Sequence, residues 1–130
     1  MKLKLIALFL LAAAAAAAQS ITVTPMGGKQ NGWVVDATFL PNTATDALIT
    51  TVAVCYLEVS NQSSSSTTVT IQDRQSTPIA ILPGATIPAK TTWWVLTLNP
   101  ASGMCRRFVS GINWSAGASN AVAVTMMGVQ

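Results

Sequence analysis

Short runs of β-forming residues recur along this chain from residue 20 onward, and each run is bounded by glycine, proline, asparagine or serine. Turn residues interrupt the runs about every eight to twelve residues, a spacing typical of all-β sandwiches and barrels. No stretch after residue 20 shows helical periodicity. The pattern predicts an all-β fold, a single antiparallel β-sandwich of about seven to nine strands.

Each run that alternates apolar and polar residues, or is apolar throughout, is a predicted strand. The run at 48–60 is apolar on both sides for much of its length, which predicts a central or covered strand. Within it, the odd-numbered residues 53–59 are expected on one face and the even-numbered residues 52–58 on the other. A turn is expected at Leu82–Gly84. The predicted strands are 20–24, 32–39, 48–60, 67–73, 77–82, 91–98, 105–110, 111–116 and 120–129.

Residues 1–18 have the layout of a secretory signal peptide. Lys2 and Lys4 precede an unbroken apolar run, Leu5–Ala18, that ends in small residues. The run is shorter than the roughly 20 residues that a helix needs to span a bilayer, so no permanent membrane span is expected. We predict cleavage before Gln19, one β-sandwich domain over residues 19–130, and a secreted, periplasmic or cell-surface location.

The composition argues against most catalytic and metal chemistry. The chain has no histidine and only two cysteines, so the usual base for a serine or cysteine nucleophile and the usual metal-ligand spacings are missing. We expect no enzyme activity, metal or cofactor. Glycoside hydrolysis needs only paired carboxylates, and the candidates for it are Asp36, Asp46, Glu58 and Asp73. Without the leader the charge is close to neutral, so no nucleic-acid partner is expected.

Cys55 and Cys105 are predicted to form a disulfide, because an exported chain reaches an oxidising compartment. The alternative is two buried free thiols on neighbouring strands. Immunoglobulin domains join two sheets by a disulfide beside a core tryptophan. Here the next tryptophan after Cys55 is Trp93, and Gly103 stands where that family has a tyrosine. The predicted sandwich therefore resembles the immunoglobulin fold in architecture only, and no membership of that family is expected.

Arg106 and Arg107 are adjacent, so on a strand they point to opposite faces. One is expected to pair with Glu58, Asp36 or Asp73 and the other to be solvated, because an unpaired buried charge is costly. The alternative is that an arginine holds an anionic ligand group.

The four tryptophans divide between core and surface. Trp33, Trp114 and one of Trp93 and Trp94 are expected in the core, and the remaining ring partly exposed. Exposed rings can stack on sugars or dock a protein. Trp93, Trp94, Arg106 and Arg107 are therefore the candidate ligand or partner contacts.

Two classes of function remain. The low fraction of charged residues and the apolar segment at 120–130 favour a structural or protein-association role, in which the C-terminal strand adds to a sheet of a second copy or of another surface protein. The alternative is a module that binds carbohydrate or another surface ligand through the tryptophans and arginines. Asn61 and Asn113 lie in glycosylation sequons, whose use the sequence leaves open.

Overall fold

The computed structural model describes residues 24–26, 32–97 and 105–129, with side chains from residue 32 onward. The predicted signal peptide and its cleavage point lie outside these residues. The described residues form ten strands and no helix: β1 (Thr24–Met26), β2 (Gly32–Phe39), β3 (Thr45–Leu48), β4 (Val52–Asn61), β5 (Thr67–Asp73), β6 (Ala80–Ile87), β7 (Thr92–Thr97), β8 (Arg106–Phe108), β9 (Ile112–Ala116) and β10 (Val122–Val129). No helix in this part of the chain is long and apolar enough to cross a membrane.

The strands form two sheets in which every pairing is antiparallel. The six-stranded sheet has the order β1-β2-β10-β4-β7, with β8 also paired to β4, and the four-stranded sheet has the order β3-β9-β5-β6. The all-β prediction with antiparallel sheets is confirmed. The described residues hold ten strands instead of seven to nine, because β3 is not among the predicted strands: only its last residue, Leu48, lies in the predicted run at 48–60, which otherwise corresponds to β4.

The core lies between the two sheets and is built by the inward side chains of both. Trp33 and Trp114 are its largest rings and are almost completely buried, as predicted. Neither indole nitrogen has a hydrogen-bond partner, a cost that the burial of two large rings offsets. The bounds of β2 and β5 match the prediction. Burial alternates along β5, whereas in β2 it alternates only as far as Val35, because the register with β10 shifts between Val35 and Thr38.

A β-bulge in β4 changes which side chains face the core. Tyr56 pairs with Met127 and Val54 pairs with Gly128, so Cys55 has no partner on β10. Before the bulge the even-numbered residues of β4 are buried, and after it the odd-numbered ones are. The prediction of one unbroken alternation over 52–59 is therefore wrong, because one extra residue shifts a period of two.

The predicted turn at Leu82–Gly84 is also wrong, since these residues lie within β6. Gly84 has a φ of 69°, the left-handed conformation that favours glycine. Thr70 pairs with Pro83 and Val69 with Ala85, which leaves Gly84 as the extra residue of a bulge. The positive φ at this glycine therefore bends a strand instead of reversing the chain.

The C-terminal strand β10 is central and not an edge. It pairs with β2 on one side and with β4 on the other. The prediction that this strand offers a free edge for a partner is therefore wrong. One of its two apolar faces, formed by Val122, Val124 and Met126, is buried in the core, and the other is only partly buried.

Candidate functional site

Strands β7 and β8 form one interrupted edge strand. Both are antiparallel to β4: Thr97 of β7 pairs with Tyr56, and Arg106 of β8 pairs with Val54. The pairing of β7 with β4 thus ends at Tyr56, and that of β8 begins at Val54, two residues away on β4. Cys55 lies at this gap, opposite the point where the chain returns to the sheet.

The disulfide between Cys55 and Cys105 closes this gap, which confirms the predicted bond. The two Cα atoms are 4.3 Å apart, and Cys55 is fully buried. The bond joins β4 to the residue before β8, so it lies within one sheet and does not cross the core as in immunoglobulin domains. It anchors the short strand β8, whose three residues give it few ladder hydrogen bonds.

The two arginines lie on opposite faces, as expected, but both are exposed. Arg106 shares a strand face with the buried Phe108, whereas Arg107 pairs with Ala53. Within the described residues the one ion pair joins Arg74 to Asp46, so the expected pairing of Arg106 or Arg107 with a carboxylate is not formed. The charge of Arg106 acts at longer range and is one of the influences that lower the pKa of Asp73.

Trp93 and Trp94 are both exposed, at 36% and 64%. Trp93 pairs with the buried Val59 and so lies on the core-facing side at the sheet margin. Trp94 pairs with Glu58 on the outer face. The prediction that one of the two lies in the core is wrong, because β7 is an edge strand whose core-facing side is only partly covered by the second sheet.

Tyr56 and Glu58 of β4 join Trp94 on the outer face. The Tyr56 hydroxyl donates a hydrogen bond of 2.5 Å to Oε2 of Glu58. This bond, with desolvation and the negative charge of Glu58, raises the pKa of Tyr56, and a hydrogen bond with the Trp94 side chain opposes the shift. Ser60 and Thr92 share a hydrogen bond of 2.9 Å in the next cross-strand row. We call Tyr56, Glu58 and Trp94 the Trp94 face.

The three aspartates differ in their hydrogen bonds and in their exposure to solvent. Asp46 accepts from Asn113 at 2.9 Å and contacts Arg74 at 2.8 Å, and these two groups lower its pKa. Burial of Asp73 raises the pKa of its carboxyl group. Hydrogen bonds from the backbone N–H groups of Ile79 and Gln75 and from the Gln75 side chain outweigh this effect, so the pKa is lowered overall. Asp36 is exposed. The hydrogen-bond partners of Asp46, Asp73 and Glu58 are thus different residues, and none of these partners is another carboxylate.

Asn61 organises the loop end of the sandwich. Its side chain is 1% exposed and donates to the carbonyl oxygens of Ser65, Ile87 and Pro88, at 2.8, 3.0 and 3.1 Å. Its Oδ1 accepts from the backbone N–H and hydroxyl of Ser63. Every hydrogen-bonding atom of the side chain is engaged, so the folded protein has no accessible amide at this sequon.

Among the described residues there is no group of three or more His, Cys, Asp or Glu side chains placed to hold a metal ion. Comparison with known proteins found no matching family model, no matching curated protein and no matching solved structure.

Sequence reasoning identified Trp94 but not its two neighbours as contact residues. Tyr56 and Glu58 are two apart on one strand, so a shared face was visible in the sequence. Their position beside Trp94 depends on the register between β4 and β7. The structure thus brings Trp94 together with Tyr56 and Glu58, and leaves the arginines outside the group.

Proposed function

We propose that residues 19–130 form a secreted or cell-surface β-sandwich, immunoglobulin-like in architecture, that acts without catalysis by associating with further copies of itself through the edge strand β7. The observation that carries the proposal is that β7 is a six-residue edge, TWWVLT, without charge or proline, on which both tryptophans are exposed. Such an edge presents unpaired backbone groups to another strand.

The other edges carry features that oppose strand addition. Natural sheets protect their edges by shortness, charge, proline and bulges. The edge strands other than β7 have these features: Pro25 in three-residue β1, Asp46 in four-residue β3, Pro83 with two bulges in β6, and two arginines in three-residue β8. Strand β7 has a single bulge, at Val95. It is thus the least protected edge among the described strands.

Two further features support this proposal. The low charge of the chain gives little repulsion between copies. The disulfide is of the kind that persists in oxidising compartments, which supports export. We therefore still propose a role in protein association, but through the edge strand β7 and not through the C-terminal strand β10.

Sedimentation velocity of residues 19–130 over a wide concentration range tests the proposal. We expect the wild type to form dimers or larger species as concentration rises. Thr97→Lys places a charge on the exposed end of β7 and should shift the protein toward monomer, because edge lysines oppose pairing. The matched control is Thr86→Lys on the exposed edge of β6, which should leave association unchanged. A wild type that is monomeric throughout, or equal effects of both lysines, contradicts the proposal.

A further inference from the structure

The Trp94 face is a preformed arrangement on the outer side of the six-stranded sheet. Glu58 and Trp94 are direct cross-strand partners, so the carboxylate lies beside the ring. The hydrogen bond from Tyr56 orients the carboxylate through Oε2. Within the described residues no partner occupies the other oxygen of Glu58. The face therefore offers a flat ring, 64% exposed, next to an oriented and half-free acceptor.

The surroundings of Trp94 are polar. The next cross-strand row carries the hydroxyls of Ser60 and Thr92. A protein hot spot usually lies at the centre of a larger apolar patch that excludes water. A single ring flanked by a carboxylate and hydroxyls fits instead a ligand with one weakly polar face and many hydroxyl groups, which is the chemistry of a sugar ring.

The charge on this face selects among sugars. Glu58 is the charged group of the Trp94 face. Arg107 lies opposite Ala53, five residues before Glu58 along β4, which is roughly 16 Å at about 3.3 Å per residue. Lys90, four residues before Trp94 in the sequence, directs its ammonium group to the carbonyl oxygen of Gln62 and not to Glu58. An anionic ligand would therefore meet a carboxylate that no cation of the described residues contacts, whereas neutral hydroxyls can donate to it in charge-assisted hydrogen bonds.

We propose that the Trp94 face binds a neutral polysaccharide, with one sugar ring stacked on Trp94 and its hydroxyl groups donating to Glu58. This inference goes beyond the proposed association, since it uses the outer face of the sheet and not the edge of β7. Both surfaces can be occupied in one molecule. Tyr56 acts as a positioning residue that orients the carboxylate of Glu58.

Retention of residues 19–130 on insoluble cellulose, chitin and starch tests the proposal, followed by calorimetric titration with soluble oligosaccharides of the retaining polymer. We expect retention on at least one polymer. Trp94→Ala should weaken binding about tenfold, the typical effect of losing one aromatic contact. Glu58→Gln keeps the shape and removes the charge, so it should weaken binding by about threefold or more.

The matched control is Trp93→Ala, which removes the same side chain from the opposite face of β7 and should leave sugar affinity unchanged. Circular dichroism of each variant checks that the fold is intact. Three results would overturn the proposal: no retention on any of the three polymers, equal losses for the two tryptophan variants, or preferred binding of an anionic polymer such as alginate. Glu58 lies on β4 and not on the edge strand, so Glu58→Gln should weaken sugar binding while leaving association unchanged in sedimentation. Failure of one proposal is thus distinguishable from failure of the other.

Discussion

Gly128 of β10 lies directly opposite Trp33 of β2, and the indole ring occupies the space that a side chain on Gly128 would need. A Cβ atom at this position would be 2.5 Å from Cζ2 of the ring and 2.1 Å from the carbonyl oxygen of Ala53. Both distances are far below van der Waals contact. A glycine is required here because the backbone of β10 packs closely against two groups, the Trp33 ring in the core and the backbone of the neighbouring strand β4.

Gly128→Ala should therefore destabilise the fold by about 1–3 kcal/mol, the usual cost of overpacking a core. The carbonyl of Ala53 belongs to the β10–β4 ladder and cannot move without breaking it. Urea unfolding followed by tryptophan fluorescence gives the change in free energy. Val129→Ala, at the partly exposed end of the same strand, should change stability by less than about 1 kcal/mol. Equal stability of the two variants would contradict the close contact.

Removal of the disulfide should lower stability by roughly 4 kcal/mol, the chain-entropy value for the 50-residue separation of Cys55 and Cys105. The double variant Cys55→Ala/Cys105→Ala tests this in chemical unfolding, and the reduced wild type should behave alike. Peptide mapping without reductant should recover the two cysteines as one linked pair. Two thiols that react with an alkylating agent in the native oxidised protein would refute the bond.

Asn61→Ala should destabilise the protein by about 3 kcal/mol, because it removes a buried side chain that donates to three carbonyl oxygens and leaves the buried carbonyl of Ile87 without this donor. Asn113 is the matched control. Its side chain makes one described hydrogen bond, to Asp46, and is only half-buried, so Asn113→Ala should cost about 1 kcal/mol or less. The comparison is made by thermal unfolding. A smaller loss at Asn61 than at Asn113 would mean that the loop does not depend on this side chain.

Acid should weaken the fold through Asp73. The folded-state pKa of this carboxyl is below its ordinary value of 3.8, so the ionised form stabilises the folded protein. That contribution is fully present above the unfolded-state pKa and is lost as the pH falls through the lower folded-state value. Asp73→Asn should be less stable than wild type at pH 7, with a gap that narrows below about pH 4.

The measurement is the urea midpoint of both proteins at several pH values between 2 and 7. Asp36→Asn changes an exposed carboxylate and should stay within about 0.5 kcal/mol of wild type at pH 7. If the gap between wild type and Asp73→Asn were constant with pH, the hydrogen bonds from Ile79 and Gln75 would not favour the charged form.

The sequence by itself determined the fold class, the disulfide pair and two complete strands. The bounds of β2 and β5 were predictable to the residue because each is a run of β-forming residues flanked by turn-forming residues, although a bulge interrupts the alternation of β2. The pairing of Cys55 with Cys105 needed no geometry, since a chain with two cysteines allows one bond. Trp33 and Trp114 were likewise predictable as core residues.

Only the tertiary structure decided strand order, bulges and the composition of the Trp94 face. An apolar pattern shows that a strand is buried but not which strands lie beside it, so β10 looked like an edge in the sequence and is central in the sheet. A bulge adds one residue and reverses the facing of all that follow, as at Cys55, and local sequence gives little sign of it. Glu58 and Trp94 are 36 positions apart in the sequence and become neighbours because the pairing of β4 with β7 sets their register. Such long-range pairing is a property of the whole packed sheet, and no short segment of the chain contains it.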